Sequence, residues 1–235
     1  MPGFRELKML GKLFDKISGG NILYYPGCLT HFALPEIEEN YIRILKRIGI
    51  DAIVLPEFNC CGSPVKHAGY KEDFENLKNK NAELFRKYGI KKIITNCPAC
   101  FLTLKNSGFN AEHIAQTLYG RMNKLEQGSG KGPIAYHDPC HLGRHSKIYE
   151  EPRGILKRIG YEVAELPNSR ENSLCCGAGA GMKANHPEIA NKAAKNCLQG
   201  CAAEKLVSTC PLCYMHFREN APKGMEVLEF SEVLV

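Results

Sequence analysis

Ile44-Leu45-Lys46-Arg47-Ile48-Gly49 returns letter for letter as Ile155-Leu156-Lys157-Arg158-Ile159-Gly160. The two copies begin 16 and 15 residues after Cys28 and Cys140, respectively. Around them, Tyr24-Tyr25-Pro26-Gly27-Cys28 parallels Ala135-Tyr136-His137-Asp138-Pro139-Cys140, and Asn96-Cys97-Pro98-Ala99-Cys100 parallels Thr209-Cys210-Pro211-Leu212-Cys213. A period this long in two copies indicates a duplicated domain rather than a solenoid. Gln127-Gly128-Ser129-Gly130-Lys131-Gly132-Pro133 reads as the joint between copies. The expected organisation is therefore an amino-terminal segment 1–20, a first unit 21–126, a linker 127–133 and a second unit 134–235.

Within the first copy the pattern predicts strand, helix, strand, helix, strand. Asn21–Tyr25 is a short apolar run ended by Pro26-Gly27, and Pro35–Ile48 carries Ile37, Tyr41, Ile44, Leu45 and Ile48 at helical spacing before Gly49. Ala52–Leu55 is a buried-strand candidate stopped by Pro56; Glu72–Tyr88 is helical, Lys92–Thr95 is a third strand, and a helix follows Cys97. The second copy repeats the order with Ile134–Tyr136, Arg153–Ile159, Glu162–Leu166, Pro187–Cys201 and Lys205–Ser208. Such alternation predicts an α/β fold: two tandem, pseudo-symmetric Rossmann-like units with short parallel sheets. Each of Cys28, Cys60-Cys61 and Cys97 then follows the carboxyl end of a strand, the edge where open parallel sheets bind ligands.

The bulk numbers fit that reading. Hydrophobic content of 44% and charged content of 24% are those of an ordinary globular protein. No apolar run approaches the roughly 18 residues of a membrane span, so no transmembrane segment is expected. Met1-Pro2-Gly3-Phe4-Arg5-Glu6 lacks the apolar core of a secretory signal. The expectation is a cytoplasmic protein, peripheral to a membrane at most through a partner, whose cysteines serve metal binding or catalysis rather than structural disulfides. A net charge of +6 is spread along predicted helices with acidic residues interspersed, which argues against nucleic-acid binding. Residues 1–18 place Phe4, Leu7, Leu10, Leu13, Phe14 and Ile17 opposite Arg5, Lys8, Lys12 and Lys16, an amphipathic helix that packs on its own domain, docks a partner or meets a membrane surface.

Ten of the 12 cysteines fall into two sets of one form: Cys28, Cys60, Cys61, Cys97, Cys100, and Cys140, Cys175, Cys176, Cys210, Cys213. Matching members are 112, 115 and 113 residues apart. A cubane 4Fe–4S cluster takes four thiolates; tetrahedral zinc takes four ligands, commonly as two Cys-x-x-Cys pairs. Each half has one such pair, an adjacent Cys-Cys and a lone upstream Cys. Adjacent side chains diverge, which suits different irons of one cluster better than a single zinc. Zinc in one half and a metal-free Cys-Pro-x-Cys dithiol remain the alternatives. Gly177-x-Gly179-x-Gly181 lacks the spacing of a nucleotide loop.

His137-Asp138-Pro139-Cys140-His141-Leu142-Gly143-Arg144 and Glu171-Asn172-Ser173-Leu174-Cys175-Cys176-Gly177-Ala178-Gly179 resemble the CCG-domain (cysteine-rich) iron–sulfur proteins. That family is typified by heterodisulfide reductase, where the domain pair forms one subunit whole or the carboxy-terminal part of a longer one. The resemblance covers about residues 21–235. It implies that each five-cysteine set ligates a non-cubane 4Fe–4S cluster and that a disulfide is reduced, or thiols oxidised, between the two. Opening a disulfide takes two electrons, and two clusters facing one cleft supply one each. The alternative is an electron relay in a lactate, glycolate or glycerol-3-phosphate flavin dehydrogenase complex, or one linked to quinone. The larger family members carry a ferredoxin-like segment with Cys-x-x-Cys-x-x-Cys runs that has no counterpart here, so electrons are expected from a ferredoxin-like iron–sulfur subunit or a flavoprotein subunit. His137, His141 and His145 bracket Cys140 as proton donors or supporting groups. Lys66, His67, Arg144 and Lys183 are candidates for an anionic substrate, and Cys197 and Cys201, four apart on a predicted helix, are expected to be buried thiols.

Overall fold

The structure is a computed structural model that describes residues 20–235. The expected amphipathic helix therefore lies outside the described residues. The first half supplies the strands β1 (Asn21–Tyr24), β2 (Ala52–Ile53), β3 (Ile90–Thr95) and β4 (Ala111–His113), the first two cut from apolar runs that stop at Pro26 and Pro56. The intervening helices are α1 (Gly27–Ala33), α2 (Pro35–Arg47), α3 (Ser63–His67), α4 (Lys71–Lys87), α5 (Pro98–Asn106) and α6 (Ile114–Tyr119). The second half supplies β5 (Pro133–His137), α7 (Glu150–Arg158), β6 (Glu162–Glu165), α8 (Met182–Asn185), α9 (Pro187–Leu198), β7 (Lys205–Ser208), α10 (Pro211–Asn220) and β8 (Glu226–Glu229).

The strand orders are β2-β1-β3-β4 and β6-β5-β7-β8, all parallel and matching between halves. Register pairs such as Leu23↔Ile93 and Ala135↔Leu206 put the first and third strands of each half in the sheet centre. Both fourth strands escape the sequence pattern, because Ala111-Glu112-His113 and Glu226-Val227-Leu228-Glu229 are edge strands with charged or polar ends. The second strand is shorter than its apolar run: Pro56 lacks the N–H a ladder needs, and the chain turns toward Cys60. The expected helix 187–201 stops at Leu198, with Gln199 extended and Gly200 at φ 78°.

One buried cluster draws on both halves, including Tyr24, Tyr41, Ile94, Tyr136, Val207 and Phe230. The apolar members of the repeated hexapeptide (Ile44, Leu45, Ile48 and Ile155, Leu156, Ile159) all lie in it. The repeat thus reports the contact between copies, where identical side chains meet equivalent surroundings. The α6 helix packs on α7, and the single turn Phe230–Val233 packs on α2. The turn that follows the fourth strand of each half thus covers the other half's hexapeptide helix. Both turns begin with a reciprocal capping box: His113 with Gln116, and Glu229 with Glu232. Tyr41 Oη donates to Glu229 Oε1 at 2.7 Å across this contact. The segment expected as a joint is hydrogen-bonded along the second half, Gly128 N to Arg158 O and Lys131 N to Gly160 O, each at 3.1 Å.

Candidate metal centre

Parallel strands deliver the cysteines to one edge of each sheet. Cys28 stands in the first turn of α1 after β1, Cys60 and Cys61 follow β2, and Cys97 caps α5 after β3 with Cys100 one turn on. In the second half Cys140 follows β5, Cys175 and Cys176 follow β6, and Cys210 caps α10 after β7 with Cys213 in that helix. Within each set the thiols follow one another as a chain of electrostatic neighbours. One runs Cys28–Cys60–Cys61–Cys100–Cys97. The other runs Cys140–Cys175–Cys176–Cys213–Cys210, with Cys213 Sγ 3.1 Å from Cys176 Sγ.

The chains polarise their members alike. Hydrogen bonds from Cys28 and then Cys61 push Cys60 down to about 2, and those from Cys140 and Cys176 push Cys175 down to about 2. The donors Cys28 and Cys140 are raised by the same bonds and by burial. Cys97 is lowered by Cys100, aided by the backbone N–H groups of Cys100 and Ala99 at the start of α5. Gly62 N–H and Gly177 N–H each donate to the preceding residue but one, Cys60 Sγ and Cys175 Sγ, at 3.4 Å. That direction requires φ of 85° and 87°, where a side chain is strained. At Gly177 a Cβ would also stand 2.8 Å from Ala190 O.

The donor chemistry fits a thiolate-bound cluster. Five thiols gathered at one sheet edge, with a backbone N–H aimed at Cys60 and at Cys175, match an anionic polynuclear group. Among the described residues no three His, Cys, Asp or Glu side chains converge as a site for a single metal ion.

The two sets approach each other through histidines. His141 Nδ1 lies 3.3 Å from Cys140 Sγ, and its ring centroid is 5.7 Å from that of His67, which ends α3 in the first half. His145 extends the stack, 5.3 Å from His141. Burial, and then His145 and His67, lower the pKa of His141. The other candidates are engaged elsewhere: Lys66 Nζ sits over the Phe74 ring at 5.2 Å, Lys183 pairs with Glu219 at 2.6 Å, and Arg144 donates to Ser173 O. His137 is wholly buried at the end of β5, so it is not a solvent-facing proton donor beside Cys140. Cys197 is buried in α9, whereas Cys201 lies beyond its end, half-buried and donating to Ala203 O at 3.5 Å.

Sequence reading missed the support under the second centre. Arg153, 1% exposed, forks onto Asp138 with two 2.7 Å bonds and onto Glu165 with bonds of 2.7 and 2.6 Å. Asp138 Oδ2 also accepts from Arg170 N at 2.7 Å, and Asp138 O accepts from Ser173 Oγ at 2.9 Å, which ties the Cys140 loop to the Cys175 loop. The available signal was Asp138 inside the His-Asp-Pro-Cys run, a carboxylate with no cysteine chemistry to perform. In the first half Asn81 Nδ2 holds Cys60 O at 2.9 Å.

Several curated proteins are similar in sequence to this chain. An uncharacterized iron–sulfur protein of Methanococcus maripaludis is 34% identical over 215 residues, covering 87% of this chain and 42% of that protein. One subunit of the dihydromethanophenazine:CoB–CoM heterodisulfide reductase of Methanosarcina barkeri is 33% identical, covering 95% of this chain and 58% of that one. EtfAB:quinone oxidoreductase of Syntrophomonas wolfei is 31% identical, covering 99% of this chain and 36% of that protein. The chain thus spans about half the length, or less, of these curated relatives. Among solved structures, Picrophilus torridus aspartate racemase overlaps at TM-score 0.42 and 12% identity, over 92% of this chain and 91% of that one, a likeness too loose to carry an argument. The cysteine-rich CCG domain matches twice, at residues 22–105 and 134–218, each match enclosing one five-cysteine set, and the chain belongs to the CCG cysteine-rich domain family.

Proposed function

We propose that this chain is an iron–sulfur oxidoreductase subunit whose two cysteine sets each hold a non-cubane 4Fe–4S cluster, and that a small disulfide is reduced in the opening between them, or its thiols oxidised in reverse. The observation that carries the reading is the meeting of His67 and His141, which brings the first half against the Cys140 edge of the second. When bound, the clusters supply electrons one at a time. The chain's residues do the rest. Reducing a disulfide to two thiols consumes two electrons and two protons. His141 and His67, whose rings meet between the two sets, are the side chains placed to relay those protons. Cys28 and Cys175 are the exposed members of their sets and mark the edge that a substrate or partner meets. The heterodisulfide reductase relative supports this reading.

A second reading, an electron relay to a flavoprotein or toward quinone, is favoured by the similarity to the quinone oxidoreductase relative. In both readings the electron partner is a ferredoxin-like iron–sulfur subunit or a flavoprotein subunit. No helix among the described residues is long and apolar enough to cross a membrane. The test is anaerobic purification of the full chain, iron and sulfide analysis, and electron paramagnetic resonance with and without a small aliphatic disulfide. A disulfide-dependent change of signal supports the reductase; an unchanged signal with full iron supports the relay. Zinc, or free thiols alone, refutes both.

A further inference from the structure

Tyr25 and His137 occupy the same place in the two halves, three residues before Cys28 and Cys140, but their polar atoms are used differently. Tyr25 Oη donates to Asn59 O, the carbonyl preceding Cys60, at 2.5 Å. The only phenol proton is spent there. The matching carbonyl in the second half is Leu174 O, which Cys197 Sγ approaches at 3.7 Å. Cys197 Sγ also lies 3.5 Å from His137 Nδ1. His137 stacks edge-on against Phe217 at 4.7 Å, and its Nε2 is a buried nitrogen with no hydrogen-bond partner. A buried polar nitrogen left unpaired is costly, so a partner for it is to be sought outside the protein atoms.

Burial pushes the His137 pKa down to about 4, so the neutral ring carries a single proton. Cys175 is among the charged groups acting on that ring. Cys197 also has one proton to give, either to Leu174 O or to His137 Nδ1. With Cys197 Sγ beside Nδ1 and Nε2 left without a protein acceptor, negative charge at the Cys175 set favours the imidazole proton on Nε2 and the thiol proton on the Nδ1 side.

We propose that His137 donates Nε2–H to a sulfur of the group held by Cys140, Cys175, Cys176, Cys210 and Cys213, and that this bond makes the second centre the more easily reduced of the two. The inference rests on the cluster reading above. A donor to a cluster sulfur stabilises the added electron. Because Tyr25 is already committed, it supplies no such bond to the first centre. Cys197 acts as a positioning residue that selects the tautomer.

The experiment uses the full chain loaded anaerobically, with Cys60→Ser/Cys61→Ser to isolate the second centre and Cys175→Ser/Cys176→Ser to isolate the first. Iron and sulfide are counted before each redox titration with dithionite. His137→Phe should shift the reduced-to-oxidised ratio of the second centre at fixed potential about tenfold toward oxidised, as expected for one hydrogen bond to a charged acceptor. The first centre should not move. Cys197→Ala should give a smaller shift in the same direction, and Tyr25→Phe should leave both centres within about twofold, the effect of no lost cluster bond. Nitrogen-15 shifts of labelled histidine in the oxidised wild-type protein should show His137 protonated at Nε2 and bare at Nδ1. Loaded centres indifferent to His137→Phe, or the opposite tautomer, overturn the inference while leaving the cluster reading intact. If His137→Phe does not load, the tautomer decides. A wild-type second set without iron and sulfide overturns the cluster reading, and this inference with it.

Discussion

Replacing Arg153 by methionine should cost the fold about 4 kcal/mol. The guanidinium is 1% exposed, and its two bonds to Asp138 are those of a buried pair, since the Asp138 side chain is itself 1% exposed. Methionine fills similar space but leaves Asp138 with one backbone donor, Arg170 N. An uncompensated buried charge costs about 3–5 kcal/mol. Loss of the Glu165 pair adds less than about 1 kcal/mol, because that carboxylate is 39% exposed and screened. A domain with about 5–15 kcal/mol of stability would remain folded but weakened. Urea denaturation under reducing conditions, at unchanged slope, measures the loss. The double variant Arg153→Met/Asp138→Asn should recover most of it, because the stranded charge is gone. A single-variant loss below about 1 kcal/mol, or a double variant no better than the single, would refute the reasoning, because the penalty is assigned to the carboxylate left behind.

Other tests follow from the same geometry. Gly177→Ala forces a side chain into the left-handed region and 2.8 Å from Ala190 O, and should cost about 2–4 kcal/mol, whereas Gly179→Ala meets nothing within 4 Å and should stay within about 0.5 kcal/mol; equal losses would show that the CCG turn is not the constrained element. Burial pushes Glu229 up to about 7, so between its unfolded value of about 4.3 and that point the folded chain holds the extra proton. Stability should therefore fall as pH rises through this window. Glu229→Gln should flatten the decline in denaturation midpoints, and an unaltered pH profile would remove Glu229 from the account. Ile44→Ala and Ile155→Ala should each cost about 2–5 kcal/mol, and fluorescence and circular dichroism should still follow one transition because both residues lie in the shared core; two separated transitions would contradict that core.

The duplication, the parallel order of the central strands and the gathering of ten thiols were legible because each leaves a period or a motif in the chain. The hexapeptide was legible as a repeat but silent about its cause, since nothing local says that Ile44 and Ile155 face the opposite half. The edge strands were hidden by their polar ends, and strands this short owe their form to their neighbours. The cysteines announced themselves, but the Arg153–Asp138–Glu165 support joins residues from separate elements, and its partners share no local spacing. Tyr25 and His137 were visibly aligned; their different hydrogen-bond fates depend on Asn59, Leu174 and Cys197, which come close only once the chain is folded.

The reciprocal clasp, in which each half's closing turn caps the other half's hexapeptide helix, has the form of an isologous contact. A lone unit of this architecture would leave that helix bare unless it paired with a twin about a twofold axis, making the same clasp twice with two indistinguishable centres. Joining the twins in one polypeptide keeps the handshake but releases the partners from sameness. A tyrosine can then stand on one side where a histidine stands on the other, so the two cysteine sets have unequal surroundings rather than mirrored ones.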